Sequence, residues 1–483
     1  MRSISRRDFL HDSAALAALA GAGALGAPVA AAAAKKTKKG DANDRLHVAV
    51  VGVRGRGMSH VGGFAGRHNC VVTAICDADQ AVIGPAMEGA ERIQGTAPRY
   101  EQDIRQLLDD KSIDIVTIAM PNHWHSLAAI WAMQAGKDVY VEKPVSHNVS
   151  EGRRIVETAR KYNRICQTGT QCRSNPGMRE AMEFLRSGKL GKVKVARGLC
   201  YKTRMSIGKT SKDQAPPKSV DYNLWIGPAP MKALHRKHLH YDWHWFWDYG
   251  NGDLGNQGIH QMDICRWGLG KDELAKSVIS VGGRFGYVDD GETPNTQICV
   301  FDYGDSELIF EVRGLPTARL RGANVGNIFH CEHGYVVCPG YSNAQAFTLD
   351  GKMVQSFNKG GDHFGNFVEA VRSRNPGHLN ADILEGHLSS ALCHLGNISY
   401  RLGKPQPFNK QSKAFGDDKE AYETFARMEE HLQIDKVPLD STLCHVGRRL
   451  SFDPKAETFV GDKDADALLT RKYRKGFVVP EKV

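Results

Sequence analysis

Several features that define other protein classes are missing from this sequence. Its eleven cysteines include no C-x-x-C pair, which disfavours zinc-ribbon and thioredoxin-like proteins. The formal charge of +10 comes without a basic block that contains interleaved aromatic residues, so nucleic-acid binding is not expected. After residue 34, no apolar run is long enough to span a membrane. The remaining composition, 41% hydrophobic and 24% charged, is typical of a globular enzyme.

The cysteines and late histidines indicate packing rather than chemistry. Cys70, Cys76 and Cys299 lie in apolar, strand-like runs, so we expect them to be buried as small hydrophobic residues. An oxidising compartment would allow one or two disulfides, but the sequence does not identify the partners. His387 and His394 lie in a predicted late helix and suit packing or hydrogen bonding. No metal site is predicted.

The N-terminal segment has the pattern of an export signal. Paired arginines occur in "SRRDFL" (5–10), and a weakly hydrophobic, glycine-containing run of small residues follows. This pattern predicts a Tat signal peptide over 1–34, with cleavage between about Ala30 and Ala34, and a linker over 35–44. A Sec signal with incidental arginines is the alternative. We therefore expect a periplasmic or otherwise exported protein.

A glycine-rich turn follows the first predicted strand. The strand is "LHVAVVGV" (46–53), and a helix-like stretch comes after the turn. Strand, glycine turn and helix form the corner at which a Rossmann unit binds pyrophosphate. Two of the glycines keep the outer positions of G-x-G-x-x-G, while an arginine occupies the middle one. The predicted cofactor-binding residues here are Gly52, Val53, Arg54, Gly55, Arg56 and Gly57.

An acidic residue ends the second predicted strand, "VVTAICD" (71–77). Asp77 lies twenty residues after Gly57, where a carboxylate binds the ribose hydroxyls of NAD. A surface-turn aspartate is the alternative interpretation. Because Arg54 and Arg56 could instead bind a 2′-phosphate, the cofactor is predicted to be NAD, with NADP as the second choice.

Strands and helices then alternate. Predicted strands at 113–121, 138–144 and 165–169 are separated by predicted helices at 126–136 and 151–163. This order predicts an N-terminal, doubly wound parallel Rossmann sheet over 45–170. Later helices are predicted at 363–377, 382–403 and 418–432.

Three sequence features together resemble the Gfo/Idh/MocA family of nicotinamide-dependent oxidoreductases. They are "MPNHWH" (120–125), "EKP" (142–144) and the aromatic run "DWHWFWDYGNGD" (242–253), which precedes a histidine-bearing helix. The resemblance implies a C-terminal α/β domain over 171–403, which has a large, open, mainly antiparallel sheet and serves substrate binding and oligomerisation, and a C-terminal extension over 404–483. It also implies a carbohydrate substrate and a homo-oligomer, either a dimer or a tetramer.

The resemblance also implies roles for individual residues. Lys143 and His260 are the expected catalytic residues, and Lys143 exchanges a proton with the substrate hydroxyl. A lysine suits this role because burial and a neighbouring positive nicotinamide lower its pKa. The alternatives are a surface lysine and a core histidine. Further expected cofactor contacts are Pro121, Asn122, His125, Glu142, Lys143 and Gln171.

The stretch "GNGDLGNQGIHQMD" (250–263) departs from the family pattern. Its spacing predicts one helix with Asn256, His260 and Asp263 on the same face, and Asp253 as its N-cap. Family members carry an aspartate four residues before the histidine. An amide at that position binds a hydroxyl but takes no proton.

We therefore expect substrate contacts from Asn256, Asp263, Trp247 and Tyr249, the two aromatic rings by stacking on a sugar. Asp263 could also orient His260 or pair with Arg266.

The predicted function is that of an exported oxidoreductase that transfers hydride between a sugar and a tightly held nicotinamide cofactor. Free cofactor is scarce outside the cytoplasm, and a Tat substrate can be loaded before export. A redox-neutral, NAD-dependent glycosidase or lyase that acts through a transient keto-sugar is the first alternative. A non-catalytic carbohydrate-binding protein is the second.

Overall fold

The structure is a computed structural model that describes residues 44–408 and 413–483. The predicted signal peptide and residues 35–43 of the predicted linker lie outside the described residues. The first domain alternates strands and helices as the sequence predicts. Its elements are β1 Leu46–Val51, α1 Gly57–Phe64, β2 Cys70–Cys76, α2 Gly84–Gln94, β3 Arg99–Glu101, α3 Ile104–Asp109, β4 Ile115–Ile118, α4 His125–Gln134, β5 Asp138–Val141, α5 Val149–Lys161 and β6 Cys166–Thr168.

These strands form a six-stranded parallel sheet in the order β3-β2-β1-β4-β5-β6. The apolar residues of β1, β4 and β5 are buried because helices cover both faces of the sheet. The strand order reverses between β1 and β4. In open α/β sheets, ligands bind beyond the carboxyl ends of the strands at such a reversal. The predicted Rossmann sheet is thus confirmed.

The second domain begins with a helix and continues into a large sheet. Its elements are α6 Pro176–Arg186, β7 Val193–Tyr201, α7 Tyr222–Ile226, α8 Gly252–Asn256, α9 Ile259–Leu269, β8 Ser277–Gly283, β9 Thr296–Asp302, β10 Glu307–Arg313, β11 Val325–Cys331, β12 Gly334–Cys338, β13 Asn343–Thr348, β14 Met353–Asn358, α10 His363–Ser373, α11 Ile383–Arg401, β15 Lys404–Pro407, α12 Lys419–Ile434, β16 Leu443–Val446, β17 Leu450–Asp453, β18 Thr458–Phe459 and α13 Lys463–Asp466. The three predicted late helices are confirmed as α10, α11 and α12.

The large sheet has twelve strands along the order β14-β13-β12-β11-β7-β10-β9-β8-β16-β15, with β17 and β18 attached beside β8. Among the described strands of this large sheet, only β7 and β10 pair in parallel, so the sheet is mainly antiparallel, as expected. Successive residues of β9 alternate between two cores. Cys299 and Phe301 pack with α9 and α11, whereas Ile298 and Val300 pack with α12. Strands β15 to β18 extend this sheet with chain from beyond residue 403.

Two local predictions around residue 256 are wrong. The predicted continuous helix is broken: α8 ends at Asn256 and α9 begins at Ile259. Asn256 therefore does not share a helix with His260 and Asp263. Asp253 does not cap α8, because its carboxylate accepts two hydrogen bonds from Arg204, at 2.8 and 2.6 Å.

The cysteines are buried and unpaired, as Cys70, Cys76 and Cys299 were expected to be. Over residues 44–408 and 413–483, His, Cys, Asp and Glu side chains form no group that could hold a metal ion. Within the same two ranges, every helix falls short of the length or apolar character that a bilayer crossing requires.

Candidate active site

A cleft opens beside the strand-order reversal and extends towards the second domain. The two domains belong to one compact unit, and both line this cleft. It brings together most of the residues predicted from the sequence, namely Gly52, Arg54, Gly55, Arg56, Asp77, Pro121, Asn122, His125, Glu142, Lys143 and Asn256.

The glycine corner is shaped by backbone packing at its outer positions. Gly52 has a φ of +82°, and a Cβ atom there would lie 2.7 Å from the backbone of Ala119. A Cβ atom on Gly57 would lie 2.0 Å from the carbonyl oxygen of Gly52. Gly55 faces open space, with no atom within 4 Å of an added Cβ. The corner therefore tolerates Arg54 at the middle position and leaves open space at Gly55 for a pyrophosphate.

Asp77 is fixed at the edge of the cleft by the glycine corner itself. Its carboxylate accepts hydrogen bonds from the backbone N–H groups of Val53, at 2.9 Å, and Asp79, at 3.1 Å. Burial raises the pKa of Asp77, although these two hydrogen bonds oppose the shift. The carboxylate oxygens are thus held where ribose hydroxyls of a dinucleotide could donate to them. Val53 therefore contributes to the site through its backbone N–H group, which holds the Asp77 carboxylate.

Glu142 connects the glycine corner to the "EKP" segment. Arg56 Nε donates to its carboxylate at 2.7 Å, and His60 Nε2 donates at 3.2 Å. A Cβ atom on Gly169 would lie 2.7 Å from the Glu142 carboxyl carbon, so the carboxylate packs directly on that backbone. Burial acts to raise the pKa of Glu142, but Arg56 and His60 outweigh it and hold the pKa well below its usual range. Since Arg56 is occupied here, Arg54 is the arginine of the corner that remains for phosphate.

His125 fixes the backbone on both sides of the cleft floor. Its two ring nitrogens lie 2.6 Å from the carbonyl oxygens of Met120 and Pro144. Burial lowers the pKa of His125. The ring therefore ties the segment after β4 to the segment after β5 and positions Lys143 between them.

Lys143 places an ammonium group in the cleft. Its Nζ atom donates a hydrogen bond to the backbone carbonyl of Asn256 at 2.7 Å, and no carboxylate of the described chain lies within 4.0 Å of it. Burial lowers the pKa of Lys143 to about 8, since Glu142 opposes the shift only in part. The positive charges of Lys202 and Arg204 add to the lowering. A lysine with such a pKa can take or give a proton near neutral pH.

The charge of Lys143 acts on His260, but His260 is absent from the described lining of the cleft. The ring is 6% exposed, packs edge-on against Tyr341 at 5.1 Å, and has a buried Nδ1 atom without a hydrogen-bond partner. Burial and then the Lys143 ammonium lower the pKa of His260 well below its usual range. His260 is therefore neutral in this structure.

Residues that sequence reasoning missed surround these two groups. Lys202, just after β7, donates from Nζ to Gln257 Oε1 at 3.2 Å, and Gln257 donates to the hydroxyl of Tyr341. No motif marks these positions, because they meet only through strand pairing and the break between α8 and α9. Trp243 and His244 of the aromatic run line the cleft, and so do His240 and Tyr241, which directly precede it. That run was the available signal, but the prediction chose Trp247 and Tyr249 from it.

The remaining predicted residues lie elsewhere. Tyr249 is buried against His123 and Trp225, and Trp247 lines a different cavity. Neither ring is therefore placed for stacking in the cleft. Gln171 begins a short 3₁₀ turn and likewise lies outside the described cleft lining.

Asp263 also lies outside the described lining of the cleft, where its carboxylate is paired with a buried arginine. Arg173 Nε contacts both of its carboxylate oxygens, at 3.0 and 2.8 Å, and Ser389 donates to it at 2.8 Å. Arg266 lies 3.9 Å away. Asp263 thus neither orients His260 nor faces a substrate.

Comparison with known proteins gives two matches to models of one family, Gfo/Idh/MocA. The model described as "Oxidoreductase family, NAD-binding Rossmann fold" matches residues 46–170. The model described as "Oxidoreductase family, C-terminal alpha/beta domain" matches residues 183–433, which is about half of the chain.

Curated relatives match over a shorter stretch. An alpha-N-acetylgalactosaminidase of Shewanella oneidensis is 33% identical over 154 residues, which is 31% of this chain and 33% of the relative. A glycosyl hydrolase family 109 protein of a Shewanella species is 35% identical over 156 residues, 31% of this chain and 34% of the relative. The match thus spans about a third of the length of these relatives.

Solved structures match most of the fold. The WlbA dehydrogenase of Bordetella pertussis, in complex with NADH and UDP-GlcNAcA, superposes with a TM-score of 0.55 at 19% identity, over 76% of this chain and all of that one. A levoglucosan dehydrogenase in complex with NADH and levoglucosan gives 0.55 at 18%, over 73% of this chain and 97% of that one. These identities establish the shared fold alone. The first family model identifies the first domain as an NAD-binding Rossmann domain, and the two family models show that the chain belongs to the Gfo/Idh/MocA family of oxidoreductases.

Proposed function

We propose that this protein oxidises a sugar hydroxyl to a carbonyl, or reduces such a carbonyl, by hydride exchange with a nicotinamide cofactor that it holds tightly. The observation that carries the proposal is Lys143, whose ammonium lies in the cofactor cleft with a pKa of about 8. A hydroxyl cannot become a carbonyl unless its proton is removed, and an amine of this pKa removes it near neutral pH. Oxidoreductase family membership supports the same reaction class.

The residues of the cleft fit a dinucleotide along its length. The open backbone at Gly55 and the Arg54 guanidinium would hold the pyrophosphate, and Asp77 would accept from ribose hydroxyls. The cofactor, when bound, supplies the acceptor or donor of the hydride. Because a carboxylate at Asp77 repels a 2′-phosphate and Arg56 is paired with Glu142, these residues favour NAD over NADP.

The redox-neutral glycosidase is the second candidate. It is supported by the two curated relatives described above, both of which carry glycosidase names. Lys143 would serve this reaction as well, since transient oxidation of a sugar hydroxyl needs the same base. Asn256 offers an amide where a carboxylate was expected, and neither reaction requires its side chain to exchange a proton.

Export belongs to the proposal too, on the strength of Arg6 and Arg7 within the Tat-like segment. An exported enzyme of this type would carry its cofactor out of the cytoplasm and reset it on the protein. Replacing both arginines by lysine tests this, because Tat transport depends on the pair: the precursor should remain in the cytoplasmic fraction. Normal export of the variant would contradict the Tat route.

We further propose that the protein forms a homo-oligomer, which light scattering of the purified chain would test.

Mass spectrometry of the ligand released from the purified, folded protein is the first experiment, followed by a sugar panel read by reduced-nicotinamide absorbance. We expect bound dinucleotide and an absorbance change with at least one sugar. Lys143→Met should abolish the change, while Lys161→Met, at an exposed lysine, should not. Release of a free sugar from an aryl glycoside without net redox would select the glycosidase. Absence of both bound dinucleotide and any Lys143-dependent sugar reaction would overturn the proposal.

A further inference from the structure

A second cavity lies apart from the cofactor cleft. Its walls come from the segment after Pro144, the end of α11 and the C-terminal chain. We call it the basic pocket and define it by His147, Trp247, Arg401, Arg471 and Lys472, all of which line it. None of these residues takes part in the proposed reaction.

The basic pocket gathers three cations that have no carboxylate partner. Among the described residues, no carboxylate oxygen lies within 4.0 Å of Arg401, Arg471 or Lys472. The acid in its wall, Asp248, is already held by Lys232 at 2.6 Å. The Arg471 guanidinium donates hydrogen bonds to the backbone oxygens of Asp248 and Pro228 and to one ring nitrogen of His147. The lining of the pocket therefore carries more positive than negative charge, although Glu292 and Glu151 act on Arg401 and Arg471 from outside the lining.

His147 adds a buried donor without an acceptor. Arg471 donates to its Nδ1 atom at 3.0 Å, so Nδ1 must present its lone pair. The hydrogen of the neutral ring is therefore on Nε2, and Nε2 is buried with no hydrogen-bond partner. Burial, followed by the charge of Arg471, lowers the pKa of His147 well below its usual range. Leaving such a donor unpaired is unfavourable, and a hydrogen bond to a bound acceptor would remove this cost.

Arg401 is poised above an aromatic ring. Its guanidinium carbon lies 5.2 Å from the ring centroid of Trp247. Burial lowers the pKa of Arg401, although Glu292 and Asp248 oppose the shift. A cation beside an indole is an arrangement that can bind the charged group and the apolar face of one ligand together.

One hydrogen bond joins the wall of the basic pocket to the wall of the cofactor cleft. Asn251 lines the pocket, and its Oδ1 accepts from Asn122 of the cofactor cleft at 3.2 Å. Its Nδ2 donates to the carbonyl oxygen of His147 at 3.1 Å. The pocket is thus linked to the cleft through the Asn122–Asn251 hydrogen bond, but it has its own charged groups.

We propose that the basic pocket binds a small carboxylate or phosphate anion through Arg401, Lys472 and the Nε2–H group of His147. The indole of Trp247 offers a stacking face if the anion is part of a sugar acid. The proposal does not rest on the reaction assigned to the cofactor cleft, since it concerns other residues.

Calorimetric titration of the protein with glucuronate, inorganic phosphate or glucose tests it. Saturating NAD is present so that Arg54 and the glycine corner are filled. We expect glucuronate or phosphate to bind at least tenfold more tightly than glucose. Arg401→Met should weaken anion binding at least tenfold, and Lys472→Met should weaken it several-fold. Arg319→Met, at an exposed arginine outside both cavities, is the matched control.

The variants also separate the two sources of the anion. A sugar acid is indicated if glucuronate binds more tightly than phosphate and Trp247→Ala removes that difference. A free oxyanion is indicated if phosphate binds as well or better and Trp247→Ala has no effect. Failure of both anions to bind, or binding that neither Arg401→Met nor Lys472→Met weakens, would overturn the proposal.

Discussion

The ammonium nitrogen of Lys143 donates a hydrogen bond to the backbone carbonyl of Asn256, 2.7 Å away. Lys143 follows β5 of the first domain, and Asn256 ends α8 of the second. This hydrogen bond therefore joins the two domains within the cleft. The carbonyl orients the amine but exchanges no proton with it. Residue 256 thus acts on Lys143 through its main chain, and an uncharged side chain there leaves the lysine pKa low.

Lys143→Met should reduce kcat by about 10²–10⁴-fold without releasing the cofactor. Hydroxyl oxidation needs the unprotonated amine, and the pKa of Lys143 is about 8. The wild-type kcat/KM for oxidation should therefore rise with pH through about 8 and level off above it. Steady-state kinetics over this range check the profile. Lys143→Arg, which stays charged, should show no such rise, and a rise that survives in this variant would assign the base elsewhere.

Asn256→Asp should move that pH profile upward by about one pH unit. A carboxylate beside Lys143 favours its charged form and raises its pKa, so a higher pH is needed to free the amine. Asn256→Ser is the neutral control and should leave the midpoint in place. The same midpoint in all three proteins would mean that the side chain of residue 256 does not face Lys143.

The sequence predicted the parts of this site that depend on local pattern. Alternating strands and helices, the glycines at 52 and 57, Asp77 and "EKP" all follow from short-range features. Of these residues, Gly52, Asp77, Glu142 and Lys143 line the cleft. What it missed depends on long-range contacts. The 256–260 spacing looks helical, yet the chain breaks after Asn256, and Lys202 reaches the break only because β7 ends beside it.

Asp77 should make the protein prefer NAD to NADP by at least tenfold in Kd. Its carboxylate is held by backbone hydrogen bonds and opposes a 2′-phosphate at the same place. Asp77→Ser should narrow the preference about tenfold, or about 1.4 kcal/mol. Arg54→Met should weaken both cofactors alike, because it removes a phosphate contact that they share. Fluorescence titration of the apoprotein with each cofactor measures the ratios, and an unchanged ratio in Asp77→Ser would refute the assignment.

Asp263→Asn should destabilise the fold by about 3 kcal/mol, because it removes one partner of a buried ion pair. Arg173 and Asp263 are 7% and 1% exposed, and the amide leaves the guanidinium charge with less compensation. The sugar KM should stay unchanged, since Asp263 lies outside the cleft. Urea denaturation and steady-state kinetics on the same preparation test both halves. A raised sugar KM with unchanged stability would instead show that Asp263 contacts the substrate.

Glu142→Gln should lower the free energy of unfolding by about 2 kcal/mol at neutral pH. This difference between the variant and the wild-type protein should disappear only in strong acid. The pKa of Glu142 in the folded protein lies well below 4.5 because Arg56 and His60 outweigh the effect of burial. A carboxyl with a depressed folded pKa stabilises the protein fully above its unfolded pKa, and the contribution disappears as pH falls through the folded value. Unfolding free energies of the two proteins should therefore stay apart from pH 7 down to about 4.5 and converge only below it. Glu101→Gln, at a carboxylate paired outside the cleft with Arg99, is the matched comparison. Convergence at neutral pH would mean that Glu142 is protonated in the native state.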